Sequence, residues 1–402
     1  MEKVFIVSAK RTAIGKFMGS LSGFTPGELG SIVIKEALSE SGIKPEQVDS
    51  VIVGNILSAG HGQGIARQCS LKAGIPVEVP AYSLNMVCGS GMKSIMNGYA
   101  DIVSGAAEIV IAGGTESMSN AGFVMPGSGI RNGVKMGNIT VADHMICDGL
   151  TDVFNNYHMG ITAENIADKY SISREEQDLF AFSSQQKAIK AVDSGAFDNE
   201  TVNVEIITKK ETTIFKRDEY PNRTTTIEKL KGLRAAFKKE GSVTAGNSSG
   251  VNDGASFVIL AGEKAVNKLG LKPIAQIVAH GQGGVDPSIM GMGPVPAIKN
   301  ALNNANMKLS DMDLIELNEA FAAQSLGVIR ELKESYGVSQ EWIDERCNVY
   351  GGAIALGHPI GASGNRIVVT LIHALKANNK EYGLASLCIG GGMGTALIIK
   401  SI

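Results

Sequence analysis

Cys88 is the first residue whose type and position favour chemistry. It opens the segment 88–91 (CGSG), where a predicted strand leads into a helix. Unpaired N–H groups at a helix start favour a thiolate by about 0.3–1 kcal/mol, and at best by ~2 kcal/mol. Lowering the pKa of a thiol from ~8.5 to ~6 takes about 3.4 kcal/mol. Cys88 can therefore act as a nucleophile only beside a basic residue such as a histidine, and a buried structural cysteine is the alternative.

His358, Cys388 and Asn318 lie where such a partner could be found. His358 is in the glycine-dense loop 351–364, and Pro359 restricts the backbone after it. Cys388 ends a predicted strand and precedes three glycines, and Asn318 ends another strand. Ligands bind at the carboxyl ends of strands in α/β sheets. A shared site at one sheet rim is one interpretation, and packing or capping is the alternative for each residue alone.

The elements that would position these residues occur twice. Apolar strands alternate with helical segments in the order typical of βαβ units, and the second half repeats the first. The matching pairs are 48–55 with 312–318, 88–91 (CGSG) with 361–364 (GASG), and 109–114 with 387–392. These matches predict a duplicated α/β half, with chance similarity of short apolar strings as the alternative. We expect domains at 1–269 and 270–402, with a loop-rich insertion at about 119–247 in the first.

Composition excludes several classes of function. The 402 residues are 44% hydrophobic and 19% charged, which predicts a globular protein of two or three domains. With 37 basic and 40 acidic residues the net charge is −3, which argues against nucleic-acid and polybasic membrane binding. There is no apolar run of 18 residues, no C-x-x-C pair, no metal-ligand spacing and no Walker loop. The sequence therefore predicts a reduced cytoplasmic protein without a metal or a membrane anchor.

The segment 209–239 differs from the rest of the chain in charge. It contains ten Lys and Arg but only four Asp and Glu, a local charge of about +6. One interpretation is a solvated face. The other is a binding surface for a small molecule rich in phosphate, since three aromatic residues offer little stacking for nucleic acid.

Four motifs together resemble the signatures of the thiolase family, in the same order and over essentially the whole chain. They are 85–91 (NMVCGSG), 318–321 (NEAF), 357–359 (GHP) and 388–391 (CIGG). The resemblance implies two similar halves in a five-layered α-β-α-β-α core with an inserted loop domain. It also implies ping-pong acetyl-CoA C-acetyltransferase activity, in which two acetyl-CoA form acetoacetyl-CoA and CoA with no further cofactor.

The resemblance implies a role for each motif residue. His358 would take the proton of Cys88, which becomes acetylated, and Cys388 would remove a methyl proton from the second acetyl-CoA. His358 with a water held by Asn318 would form one oxyanion site. The backbone N–H groups of Cys88 and Gly390 would form the other.

Further residues resemble the substrate-binding positions of short-chain members of the family. These are His158, Met159, Arg223, Ser249, Met290 and Phe321. Asn222 stands where an arginine is expected near the CoA phosphate, with Arg223 beside it. The segment 122–138 resembles the one that relatives use to build tetramers, which predicts a homotetramer.

Two other functions stay open at this point. A degradative 3-ketoacyl-CoA thiolase of broader chain length is the nearest alternative, although His158 and Met290 favour the short-chain enzyme. A non-catalytic acyl-CoA-binding protein on the same scaffold would be expected to lack one of the three reactive residues, and all three are present.

Overall fold

The computed structural model describes residues 2–402. The strands are β1 (Val4–Thr12), β2 (Gly15–Lys16), β3 (Ser50–Gly54), β4 (Ala81–Leu84), β5 (Ile109–Ser117), β6 (Phe123–Val124), β7 (Ala142–Asp143), β8 (Thr151–Asp152), β9 (Tyr157–His158), β10 (Thr201–Val202), β11 (Val204–Ile207), β12 (Thr212–Phe215), β13 (Asn252–Gly262), β14 (Ala275–Gly284), β15 (Leu314–Leu317), β16 (Tyr382–Ile389) and β17 (Met393–Ser401). The helices are α1 (Pro26–Ser41), α2 (Ile65–Lys72), α3 (Ser90–Ser104), α4 (Gly127–Arg131), α5 (Met159–Tyr170), α6 (Arg174–Ser194), α7 (Ile227–Lys231), α8 (Glu263–Leu269), α9 (Pro294–Ala305), α10 (Ala322–Tyr336), α11 (Gln340–Arg346), α12 (Ala353–Leu356) and α13 (Ile360–Ala377).

Strand pairing in the two halves follows one plan. In the first half the order is β1-β13-β5-β3-β4, and in the second it is β14-β17-β16-β15. The pairs β1–β13 and β13–β5 are antiparallel and β5–β3 is parallel, matching β14–β17, β17–β16 and β16–β15 in turn. The halves join where β1 pairs with β14 at Phe5↔Gln276 and Ile6↔Ala275. The prediction of a duplicated α/β half is confirmed.

The helices form three layers around these strands. Helices α3 and α13 pack on each other, and one core cluster joins them to strands of both halves. Helices α1 and α2 cover the outer face of the first set of strands, and α9 and α10 cover the outer face of the second. The order α-β-α-β-α is thus the five-layered core that the resemblance implies.

Two glycines allow the close contact between α3 and α13. A methyl group on Gly91 would lie 2.8 Å from the amide nitrogen of Asn365, and one on Gly364 would lie 2.6 Å from the amide nitrogen of Met92. Real Cβ atoms do not approach backbone atoms this closely, so both positions require glycine. The repeated segments CGSG and GASG are therefore where the two central helices touch.

Residues 118–251 separate β5 from β13. They contain the hairpin β6–β7, the pair β8–β9, helices α5, α6 and α7, and the hairpin β11–β12. Part of α5 joins the outer core of the second half, which anchors this segment on both halves. Within residues 2–402, no helix combines the length and the apolar character that crossing a bilayer requires.

Candidate active site

Cys88 lies in a strained turn between β4 and α3. Val87, the residue before it, has a φ of 45°, which is unfavourable for a β-branched side chain. The turn is held by Ser90, whose hydroxyl accepts from the amide of Met86 at 2.8 Å and donates to the carbonyl of Val87 at 2.7 Å. Cys88 is half-buried. The strain and these bonds fix the direction of the thiol.

The loop after β16 closes over the Cys88 thiol. The amide of Gly390 hydrogen-bonds to the thiol, and the Cys388 side chain lies close enough for the two thiols to interact electrostatically. Burial raises the pKa of Cys88 to about 11, despite the hydrogen bond from Gly390. Burial and then Cys88 raise the pKa of Cys388 as well. The favourable helix start noted in the sequence is outweighed by burial, so both sulfurs rest as neutral thiols.

His358 precedes α13 and is fixed at both its backbone and its ring. Its amide donates to Asn252 Oδ1 at 2.9 Å, and its Nδ1 lies 2.6 Å from Ser363 Oγ. The hydroxyl proton of Ser363 is directed to the Pro359 carbonyl at 3.0 Å, in the way that Ser90 donates to Val87 in the other half. Nδ1 therefore carries the ring proton and donates to Ser363.

The other ring nitrogen of His358 has the properties of a base. Nε2 is buried and has no hydrogen-bond partner within residues 2–402. Burial, and then the positive charge of Arg366, lower the pKa of His358 to about 3. The residue is thus a neutral imidazole whose free lone pair is on Nε2. The first turn of α13 brings it beside the nucleophile turn, since a methyl group on Gly364 would lie 3.4 Å from the Cys88 carbonyl oxygen.

Asn318 follows β15, the strand next to β16. Its amide nitrogen donates to the Ser386 carbonyl at 3.0 Å, two residues before Cys388. The side chain is 1% exposed, and neither Oδ1 nor Nδ2 has a partner within residues 2–402. Buried amide atoms require hydrogen-bond partners, and in proteins ordered water commonly supplies them.

An aromatic and methionine-lined wall lies next to the two sulfurs. The His158 ring stacks on Phe237 with centroids 4.6 Å apart, and Phe237 meets Phe321 edge-on at 6.1 Å. Met159, Met290 and Phe321 share one core cluster with Cys388. Sequence reasoning named four of these residues but missed Phe237, one of the three aromatic residues of the segment 209–239 that it considered only for stacking on nucleic acid.

Ser249 and Arg223 lie further from the sulfurs. The amide of Ser249 donates to the Ala320 carbonyl at 2.9 Å, beside the aromatic wall. Arg223 lines a cavity of about 770 Å³, together with Lys229. Its guanidinium forms a bidentate ion pair with the Asp193 carboxylate, with N–O distances of 2.6 and 2.9 Å. Both side chains are mostly exposed. The lining of this cavity includes none of the four residues Cys88, His358, Cys388 and Asn318.

Glu116 supports the site in a way that sequence reasoning missed. Its carboxylate accepts from the amides of Ile56 and Leu57 at 3.1 Å and from the amide of Gly361 at 3.0 Å. It also accepts from Asn55 Nδ2 at 2.9 Å. It therefore ties the loop after β3 to the first turn of α13. The available signal was the one charged residue of the strand 109–117 (IVIAGGTES).

One group of metal-ligating side chains occurs within residues 2–402, near the inserted hairpin. The ligand atoms of His144, Cys147 and Asp148 lie within 4.8 Å of one another. His144 Nδ1 is already hydrogen-bonded to Asp148 at 2.6 Å, and His144 Nε2 accepts from the amide of Ala59 at 3.4 Å, so both ring nitrogens have protein partners.

Family models match nearly the whole chain. The model described as thiolase, N-terminal domain, matches residues 4–264, and the model described as thiolase, C-terminal domain, matches residues 271–401. The four motifs that suggested the resemblance fall inside these two matches.

Similar proteins and structures cover the chain over its full length. An acetyl-CoA acetyltransferase of Cupriavidus necator is 52% identical over 401 residues, covering 100% of both chains. A probable acetyl-CoA acyltransferase of Staphylococcus aureus is 50% identical, covering 100% of this chain and 99% of its own. The crystal structure of the Bacillus anthracis acetyl-CoA acetyltransferase matches with a TM-score of 0.95 at 42% identity, covering 100% of this chain and 99% of that one. Human mitochondrial 3-ketoacyl-CoA thiolase in complex with CoA matches with a TM-score of 0.93 at 46% identity, covering 100% and 98%.

Proposed function

The chain belongs to the thiolase family, and on that premise we propose that it is an acetyl-CoA C-acetyltransferase. The reaction joins two acetyl-CoA into acetoacetyl-CoA and CoA, and runs in reverse as thiolysis. The observation that carries the proposal is the Cys88 thiol beside the Gly390 amide and the Cys388 thiol, with the unpaired Nε2 of His358 at the adjoining helix start.

In the first half-reaction Cys88 becomes acetylated. His358 Nε2 takes the proton of Cys88 as its sulfur attacks the thioester carbonyl, and the carbon–sulfur bond to CoA breaks. Cys388 gives its proton to the departing CoA sulfur. An imidazolium and a thiolate therefore form together, so that the net charge of the buried site does not change, which limits the cost of desolvation.

In the second half-reaction the Cys388 thiolate removes a methyl proton from another acetyl-CoA. Its raised pKa makes this thiolate a strong base. The resulting carbanion attacks the acetyl group on Cys88, and the Cys88 sulfur leaves and recovers its proton from His358. All protons are then back at their starting positions.

Two oxyanion sites lower the barriers of these steps. The amides of Cys88 and Gly390 would stabilise the tetrahedral intermediate on sulfur. His358 with a water held by Asn318 would stabilise the enolate oxygen. The loss of one such donor typically costs about 2.7–4 kcal/mol, or a hundred- to thousand-fold in rate.

The CoA part of the substrate would lie between the aromatic wall and the cavity near Arg223. His158, Met159, Met290 and Phe321 would line the acyl end, and Ser249 would contact the pantetheine. Lys229 and Arg223 would face the phosphates along the cavity. The ion pair with Asp193 neutralises Arg223, so its part in phosphate binding would require that pair to open.

A 3-ketoacyl-CoA thiolase of broader chain length is the second candidate. It is favoured by the 46% identity to the human mitochondrial enzyme. Relative rates on acetoacetyl-CoA and on a C8 3-ketoacyl-CoA distinguish the two, and faster turnover of the C8 substrate would overturn the short-chain assignment.

We propose a cytoplasmic homotetramer. Support comes from apolar side chains that are largely exposed in and beside the β6–β7 hairpin, namely Phe123, Met125, Met136, Ile139 and Val141. Exposed apolar side chains grouped in one segment are typical of an assembly surface. Light scattering of the purified protein measures the number of chains.

Mass spectrometry of the protein incubated with acetyl-CoA tests the function. The unaltered protein should carry one acetyl group on the Cys88 peptide, and Cys88→Ala should carry none. Cys388→Ala should acquire the label more slowly but keep it, without forming acetoacetyl-CoA. Labelling elsewhere, or none at all, would contradict the proposal.

A further inference from the structure

Arg366 is buried in the middle of the molecule without a direct hydrogen-bond partner. Its side chain, on the second turn of α13, is 2% exposed. None of its three guanidinium nitrogens has a hydrogen-bond partner within residues 2–402. The nearest carboxylate oxygen that pairs with it is Glu316 Oε2, 3.6 Å from one terminal nitrogen. A guanidinium presents five N–H donors, and buried donors require partners.

The distance to Glu316 is too long for a direct hydrogen bond. At 3.6 Å the two atoms are beyond hydrogen-bond range and too close for a water on the line between them, so a water shared by both would lie beside the pair. Glu316 Oε2 is also buried and unpartnered. Donor and acceptor thus face each other with neither satisfied.

Glu200 completes the group on the same face of α13. Its Oε1 accepts from Arg11 at 2.5 Å and from Thr370, one turn after Arg366, at 3.1 Å. Its Oε2 is buried and has no partner in the described chain. We call Arg366, Glu316 and Glu200 the buried polar cluster.

The buried polar cluster continues towards Asn318. Glu316 and Asn318 are two residues apart at the end of β15, so strand alternation places them on one face, about 6.6 Å apart along the chain. Both side-chain atoms of Asn318 are buried and unpartnered. The positive charge of Arg366 also acts on His358 and contributes to lowering the pKa of its imidazole. Unsatisfied polar atoms therefore run from the buried polar cluster to the edge of the candidate site.

We propose that the buried polar cluster binds a connected row of ordered water molecules, which we call the water file. The row extends to the side-chain amide of Asn318 and holds the oxyanion-site water in place from the side opposite the substrate. This rests on the proposed function of Asn318. The unpartnered acceptor oxygens of Glu316 and Glu200 make the cluster a poor site for an anion, and water can satisfy the guanidinium and these oxygens together. Arg366 and Glu316 are then positioning residues that act on the substrate through the water.

A high-resolution crystal structure of the unaltered protein tests the water file directly. Waters should lie within hydrogen-bond distance of the Arg366 nitrogens, of Glu316 Oε2 and of Asn318, in one connected series. A direct Arg366–Glu316 bond with no water shared by the two, or water at Asn318 alone, would overturn the proposal.

Isotope exchange separates the proposed role from a structural one. The double variant Glu316→Met with Arg366→Met removes the guanidinium and the carboxyl group that faces it together, which avoids leaving one of them buried without the other. It should slow the exchange of acetyl-CoA methyl protons with deuterated solvent by about tenfold to a hundredfold, while acetylation of Cys88 changes less than threefold. Equal losses in both measurements, or none in either, would contradict the proposal.

Adding Asn318→Ala to the double variant shows whether all three residues act through one water. The triple variant should exchange methyl protons no more slowly than Asn318→Ala alone, because residues that act through one water are not additive. Multiplied losses would overturn the proposal. If the unaltered protein does not acetylate Cys88, the proposed function fails instead, while the crystallographic result still decides the water file.

Discussion

The reactive residues are held uncharged at rest, and this determines how they respond to pH. A preformed thiolate–imidazolium pair requires a lowered cysteine pKa, whereas burial raises the pKa of Cys88 to about 11 and lowers that of His358 to about 3. Proton transfer must therefore accompany attack on the thioester. The site then differs from cysteine enzymes whose thiolate exists before substrate binds.

The pH dependence of the alkylation rate of Cys88 should reflect this high pKa. The rate with iodoacetamide should rise with pH through 9 and 10 without a plateau near neutrality, because the thiolate fraction keeps increasing below about pH 11. Mass spectrometry of the Cys88 peptide measures the rate, and Cys88→Ala is the control. A plateau between pH 6 and 8 would show an ion pair and contradict the neutral resting state.

Ser363 fixes the tautomer that leaves Nε2 of His358 free. Ser363→Ala should lower kcat by about tenfold to a hundredfold, less than the loss of a general base, which is typically 10²–10⁴-fold. Ser363→Thr keeps the hydroxyl and should recover part of the activity. Unchanged kcat in the alanine variant would show that the Nδ1 contact does not orient the ring.

At the level of elements, local signals were readable from the sequence and long-range ones were not. The N-terminal caps of α1 at Thr25 and of α6 at Ser173 are capping boxes. Each is readable in the sequence as Thr or Ser followed three residues later by Glu, because all the atoms of such a cap lie within four residues. The contacts of Glu116 join residues 55–57 to residue 361. No local sequence pattern predicts a contact between residues so far apart in the chain. The pKa of Cys88 likewise depends on distant residues, because the burial that outweighs the effect of the helix start comes from segments far along the chain.

The contact between α3 and α13 should tolerate no side chain at Gly91. In Gly91→Ala the methyl group would lie 2.8 Å from the Asn365 nitrogen and 2.9 Å from the Gly361 carbonyl oxygen. Such overpacking costs about 1–3 kcal/mol, and it would move the start of α13 away from Cys88. The unfolding temperature and kcat should therefore both fall.

Gly23→Ala is the matched control for this substitution. No atom lies within 4 Å of the position that its methyl group would occupy, so the unfolding free energy should change by no more than about 0.5 kcal/mol. Equal stability losses at the two positions would show that helix contact is not the cause.

Across the whole molecule, buried carboxyl groups make stability depend on pH. Burial raises the pKa of Glu116 to about 7 and that of Glu316 to about 8, against an ordinary value of 4.5. Each group holds its proton more tightly in the folded protein than in the unfolded chain. Their contribution to stability is therefore full below about pH 4.5 and is lost as the pH rises through 7 and 8.

Glu316→Gln should remove part of this dependence, because an amide cannot ionise. Its unfolding temperature should be close to that of the unaltered protein at pH 5 and higher by a few degrees at pH 9. Calorimetry at both values measures the difference, and the exposed substitution Glu46→Gln should leave the pH dependence unchanged. A variant that loses stability more steeply towards pH 9 than the unaltered protein would show that the ionised Glu316 stabilises the fold through Arg366, opposite to the sign derived from burial.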